Sequence, residues 1–130
     1  MTINDLKMYA VYRKEIPKLI AEAKRLKKDA AGIESLPGAD AARYKEIISV
    51  LNDQINKYYD AVRIMDKALD SIESETSREI VFLHYAKGMT VRNIADSLGY
   101  TYSDIYYHLQ KAKNGWKQAG ILQEGILLPG

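Results

Sequence analysis

Cysteine is absent from all 130 residues. That excludes disulfides and thiolate metal sites, and it fits a cytoplasmic setting. Histidine is scarce: only His84 and His108 offer imidazole, and nothing pairs them at metal-ligand spacing. No apolar run approaches the roughly 18 residues of a membrane span, so no membrane partner is expected. The opening residues carry Asp5 and Lys7 and lack the apolar segment of a signal peptide. A glycine-rich phosphate loop and a Walker motif are missing as well. Serine, histidine and carboxylates occur, but nothing in their spacing assembles a catalytic constellation. The sequence is therefore read as a non-enzyme without a cofactor.

What is present suits a foldable chain: 47% hydrophobic residues and 28% charged ones. The length fits one domain, or one small domain with a helical arm. A net charge of +2 is too small by itself to argue for nucleic acid. Its distribution says more. From His84 to Gln118 five basic residues (Lys87, Arg92, Lys111, Lys113, Lys117) face two acidic ones (Asp96, Asp104), a net +3. Glu73, Glu75 and Glu79 make the join before it acidic. A basic C-terminal module is what phosphate contact would ask for, although a solvated helix surface explains the same charges.

The first half is periodic. Thr2 and Asp5 form a capping-box-like start. Tyr9, Tyr12, Ile16, Leu19, Ala23, Leu26, Ala30 and Ile33 then recur at steps of 3 and 4, a heptad spacing. Pro17 interrupts the helix, because proline lacks the amide hydrogen and crowds the carbonyl of Arg13, so a kink or short break is expected there. Residues 35–39 are a turn cluster that should reverse the chain, with Asp40 or a neighbour capping the next helix. Tyr44, Ile48, Leu51, Ile55, Tyr58, Val62, Met65, Leu69 and Ile72 carry a second heptad stripe. A helix of roughly 33 residues is about 50 Å long, too long for a small core to bury alone. The simplest solution is an antiparallel hairpin whose stripes face each other. Spacing leaves open whether it closes within one chain or between two.

The second half changes character. Thr76 and Glu79 read as a capping box for a third helix that runs to about Lys87 and stops at Gly88. Thr90 is a good N-cap, with Ile94, Ala95 and Leu98 on one face behind it. Gly99 stands where a helix ends in a left-handed residue. Thr101 and Asp104 then open a last helix with Ile105 and Leu109 inward. Trp116 should cover the core at its end, and Gly120 should stop it. Five aliphatic residues among the eight from Ile121 to Leu128 make the tail unexpectedly apolar. It either folds back on its own domain or docks onto another subunit.

These residues resemble a family. Glu79-Ile80-Val81-Phe82-Leu83, the link Tyr85 to Thr90, Ile94-Ala95 with Leu98-Gly99, and Ile105 and Leu109 followed by Lys111 and Lys113 resemble region 4 of the sigma-70-type factors, a helix-turn-helix. With the long helical first half, the chain also resembles small phage regulators of the autolysin-regulatory-protein (ArpU-like) kind. The fold implied is all-α: a helical hairpin over 1–74, a sigma region 4-like helix-turn-helix over 75–118 and an apolar tail over 119–130. The resemblance implies a sequence-specific DNA-binding transcriptional regulator of phage or prophage origin. Its partners would be double-stranded DNA, a second or further copy of the chain, and RNA polymerase.

In such a helix the outward residues reach base edges in the major groove. Here they are Tyr102, Ser103, Tyr106, Tyr107 and Gln110, while Arg92, Thr101, Lys111 and Lys113 would take phosphates. The chain departs from the family in placing three tyrosines where polar or basic residues are more usual. Packing of that tyrosine face against the arm or a second subunit is therefore a competing explanation. Two other functions also stay open: a small terminase-like DNA-packaging protein, and a protein-interaction module that has lost DNA binding.

Overall fold

The computed structural model describes residues 1–32 and 38–123. Five helices follow one another: α1 (Ile3–Gly32), α2 (Gly38–Asp70), α3 (Glu75–Tyr85), α4 (Val91–Leu98) and α5 (Tyr102–Gln118). The fold is all-α, a long helical hairpin followed by three shorter helices. Of the expected turn cluster 35–39, residues 35–37 lie outside the described residues, as do the stripe position Ile33 and the tail from 124 onward, whereas 38 and 39 already belong to α2. Because α2 begins at Gly38, Asp40 lies inside the helix and does not cap it.

Thr2 and Asp5 open α1 reciprocally. The Asp5 amide donates to Thr2 Oγ1 at 3.1 Å, and the Thr2 amide donates to Asp5 Oδ2 at 2.9 Å. The helix then continues unbroken through Pro17. A proline in a helix interior costs about 3 kcal/mol or more. Ile16 and Ala23, buried on either side of Pro17, hold the helical register across it. Of the two expected outcomes, a kink or a short break, the break is absent, as the unbroken stripe spacing favoured.

Each described stripe residue of α1 and α2 is buried or half-buried. Tyr9 donates its hydroxyl to Asp66, and Tyr12 stacks on Tyr58 with ring centroids 4.4 Å apart. The partner's number falls as the chain number in α1 rises, so α1 and α2 run antiparallel.

The chain divides into two compact units. One is Val11–Asp60, the middle of the hairpin, where Ile16, Ala23 and Ile55 are buried. The other joins Met1–Ala10 to the chain from Ala61 onward. Its core draws on every helix. Leu6 and Tyr9 come from α1, Met65, Ala68 and Leu69 from α2, and Ile80 and Val81 from α3. Ile94 and Ala95 of α4 meet Ile105, Leu109, Ala112 and Trp116 of α5, and Leu122 closes the cluster.

Polar groups at the helix ends are satisfied inside this unit. Trp116 Nε1 donates to the Ala68 carbonyl at 3.0 Å, and the Ser71 hydroxyl donates to the same oxygen at 2.6 Å. Arg78 donates through Nε and Nη2 to the Ile72 carbonyl at 3.1 and 2.7 Å. These bonds take up carbonyls that the end of α2 leaves free. After α5, Gly120 turns left-handed, and the amides of Ile121 and Leu122 both donate to the Trp116 carbonyl. Leu122 is thereby folded into the core, and the Gln123 amide donates to the Met1 carbonyl at 2.9 Å. The beginning of the apolar tail lies on its own unit.

Candidate nucleic-acid interface

Local sequence signals set the spacing of α4 and α5. Thr90 Oγ1 accepts the Asn93 amide at 3.1 Å and starts α4. Gly99 ends it at φ +73°, its amide donating to the Ala95 carbonyl. A side chain is disfavoured in that left-handed conformation, and glycine is not. Only Tyr100 separates Gly99 from Thr101, the N-cap of α5. The Thr101 hydroxyl accepts the Asp104 amide at 3.1 Å, and Asp104 Oδ2 accepts the Thr101 amide at 3.1 Å. One expected start is displaced. The cap of α3 is Ser74, whose hydroxyl accepts the Ser77 amide at 3.2 Å, and Thr76 lies inside the first turn. Ser74 precedes the acidic residue Glu75, which favours a helix N-terminus as well.

Helix α5 has two unlike sides. Ile105, Leu109, Ala112 and Trp116 are buried against α3, α4 and the end of α2. Tyr102 is 49% exposed, and Tyr106 and Tyr107 are each 61% exposed, so no part of the described chain covers the tyrosine face. Ser103 and Gln110 are exposed beside them. All five expected base-reading residues therefore share one open surface, which Tyr100 at 40% exposure extends.

The expected phosphate ligands are less uniform. Arg92 and Thr101 are exposed at the starts of α4 and α5. The Thr101 hydroxyl accepts the Asp104 amide in the cap and also hydrogen-bonds the Asp104 carboxylate. Lys111 is exposed and lies over the Tyr107 ring, 5.9 Å from its centroid. Lys113 is half-buried. Gln110 donates to Asn114 Oδ1 at 3.0 Å. That exposed bond can be exchanged for a base edge at little cost, because water competes for the same groups.

Two contacts were not legible in the sequence. Ser77 of α3 is buried, and its Oγ lies 2.6 Å from His108 Nδ1 of α5. This pair ties α3 to α5 one residue from Tyr107. His84 Nδ1 lies 2.8 Å from the Met89 carbonyl and so fastens the link between α3 and α4. No sequence signal marks the first pair, which spans 31 residues; the second is local and could have been suspected from His84 preceding Gly88.

Electrostatics reinforce the cap. The hydrogen bond from Thr101 holds the Asp104 carboxyl below the usual carboxylate range, with a smaller attraction from His108. Asp104 is thus an anion at the first turn of α5, where the helix dipole favours negative charge. At the end of α3, burial pushes the Tyr85 phenol up to about 12. On the far side of α5 a cleft of about 620 Å³ opens between the α2–α3 link and Ala112, Gly115 and Trp116.

Residues 74–114 match the family model described as sigma-70, region 4. The match runs from the cap of α3 into α5 and covers about a third of the chain. No curated protein and no solved structure matches the chain. The three helices α3, α4 and α5 are therefore similar to a DNA-binding helix-turn-helix of the sigma-70 region 4 kind. Among the described residues no helix is long and apolar enough to cross a membrane.

Proposed function

We propose that this chain is a sequence-specific DNA-binding regulator of transcription, of phage or prophage origin, acting in the cytoplasm. Helix α5 enters the major groove. Tyr102, Ser103, Tyr106, Tyr107 and Gln110 read base edges, and Arg92, Thr101, Lys111 and Lys113 hold phosphates. The observation that carries this is the open polar and aromatic face of α5 on a scaffold whose caps and turn fit a helix-turn-helix. Chemistry supports the division of labour. Glutamine can pair with adenine N6 and N7, serine can donate or accept, and tyrosine offers a hydroxyl on a flat apolar ring. The residues 75–118 serve as the reading module and 1–74 as the arm.

A second copy of the chain and RNA polymerase are the protein partners proposed. Self-association is supported by Ile47, Val50 and Tyr59 of α2, which are 42%, 60% and 47% exposed. Sedimentation at high micromolar concentration should give more than the 14.7 kDa of one chain; a monomer alone would remove this part.

Competition binding with a selected duplex and a random duplex, at two salt concentrations, tests the reading of DNA. Replacing Arg92 or Lys111 by Ala should weaken binding to both duplexes alike and flatten the salt slope by about one unit per lost contact. Replacing Tyr106, Tyr107 or Gln110 by Ala should lower specific binding by about 1–3 kcal/mol per base contact and spare non-specific binding. If wild type prefers no duplex and the tyrosine variants alter oligomeric state instead, the face is a packing surface.

A further inference from the structure

The chain's formal net charge of +2 is carried by residues 11–60, which hold ten basic and eight acidic residues; the remainder is neutral. Within 11–60 the cations are densest in the second half of α1. Lys24, Arg25, Lys27 and Lys28 put four cations into five positions, and each is exposed, while Leu26 between them is half-buried in the heptad stripe. Lys14 and Lys18 extend the series along the same helix. Lys14, Lys18, Arg25 and Lys28 each follow a stripe residue by two positions, which turns them about 200° from the packed face. The acids Glu15, Glu22 and Asp29 each precede a stripe residue by one, which puts them about 60° from the line of those four cations, while Lys24 and Lys27 lie about 100° from it on the opposite side. Lys18 reaches Glu15 at 3.5 Å, but its side chain remains 72% exposed.

We infer that this basic side of α1 is a second, sequence-independent contact for the phosphate backbone of double-stranded DNA. An ordinary solvated helix face alternates its charges, and opposite charges three or four residues apart stabilise it. Lys18 and Arg25 have that pattern, with Glu15, Glu22 and Asp29 three or four residues away, but Lys24, Lys27 and Lys28 do not: at those spacings Lys24 meets Lys27 and Lys28, and Lys28 meets Arg25. Such pairs destabilise an isolated helix, and a polyanion relieves them. The stripe from Lys14 to Lys28 is on the order of 21 Å long. Duplex DNA presents one phosphate charge per about 1.7 Å of axis, so a surface of that length meets more phosphates than it has cations. Neither the reading face of α5 nor its phosphate ligands include these residues. Taking DNA as the polyanion rests on the proposed function.

The test uses the full chain with Lys24, Arg25, Lys27 and Lys28 all replaced by Gln, which removes the charges and keeps good helix formers. Circular dichroism should show unchanged helix content. Affinity for a random duplex is measured from 50 to 200 mM salt. Neutralising one phosphate contributes about 0.9 to the log–log slope, so the variant should flatten the slope by roughly 2–4 and bind at least about tenfold more weakly at the low-salt end. Preference for the selected duplex should persist. An unchanged slope with intact preference overturns this inference alone. Lost preference in the α5 variants' wild-type parent, with a slope that still depends on the four cations, overturns the reading of α5 alone. If the substitutions abolish binding to phosphatidylserine vesicles but leave the duplex slope unchanged, the surface is for membranes and the inference is wrong. If Gln lowers helix content, Lys14→Gln with Lys18→Gln is measured instead, and should flatten the slope by about 1–2.

Discussion

Two glycines separate backbone conformation from steric space. A Cβ added at Gly99 or at Gly115 would meet nothing within 4 Å. Replacing either by alanine therefore creates no clash, and only the local backbone decides the result. Gly115 lies inside α5, where alanine is favoured over glycine by about 0.8–1.0 kcal/mol. Gly115→Ala should stabilise the chain by up to about that amount. Gly99 sits at φ +73°, where an L-residue pays about 1–2 kcal/mol. Part of that is recovered because alanine lowers the entropy of the unfolded chain by about 0.4–1 kcal/mol. Gly99→Ala should thus destabilise by about 1 kcal/mol. The two variants differ by roughly 2 kcal/mol, close to a thirtyfold ratio of folding constants at an RT of about 0.59 kcal/mol. Urea unfolding followed by circular dichroism at 25 °C measures both, with the slope m expected to be unchanged. If the two substitutions shift the midpoint in the same direction, the αL assignment at the turn or the helical setting of Gly115 is wrong. Because the turn sets the angle at which α5 leaves α4, Gly99→Ala should also weaken duplex binding more than its stability loss explains.

Further outcomes follow from packing and caps. Trp116→Ala should cost about 3–5 kcal/mol, whereas Trp116→Phe should cost clearly less, since Ser71 still donates to the Ala68 carbonyl; equal losses in urea titrations would refute the role given to that bond. Ile55→Ala should cost about 2–5 kcal/mol from its buried place in the hairpin, while exposed Lys57→Ala should leave the urea midpoint nearly unmoved. Asp104 has its folded pKa depressed, so its contribution is present above the ordinary carboxylate value and is lost as pH falls through the lower folded one. A pH series of thermal melts should show that acid-side loss in wild type and a smaller one in Asp104→Asn.

Local chemistry made much of this structure readable in the sequence. The heptad stripes gave the hairpin because a period near 3.5 is hard to produce by any other means. Thr90, Gly99 and the pair Thr101 and Asp104 fixed α4 and the start of α5, since each acts on amides within three or four residues. The cap at Ser74 was missed because Thr76 with Glu79 offers an equally good local pattern. Ala68, fully buried, escaped notice for a different reason. It lies beside the stripe of α2, on a flank made interior by parts of the chain distant in sequence, among them Trp116, which donates to its carbonyl. The pairing of Ser77 with His108 and the packing of Leu6 against this core are likewise contacts between distant parts of the chain. On the outer face of α5 the exposure of the tyrosines could be read from the inward positions of Ile105 and Leu109. What those tyrosines touch is a property of a second molecule.

The clasp between the first residues and Gln123 has a consequence during synthesis. A ribosome makes about 5–20 residues per second, so Leu6 is added on the order of 6–23 s before Leu122, which shares its core. Until Leu122 is added, Tyr9, and Met65 and Ala68 once they are made, have no finished interior to enter. The segment Val11–Asp60 is continuous in sequence and can pair its stripes much earlier. The nascent chain therefore acquires its hairpin first and the unit that holds α3, α4 and α5 last. A chain whose translation stops in α5 carries the basic stripe of α1 but leaves that unit's interior open.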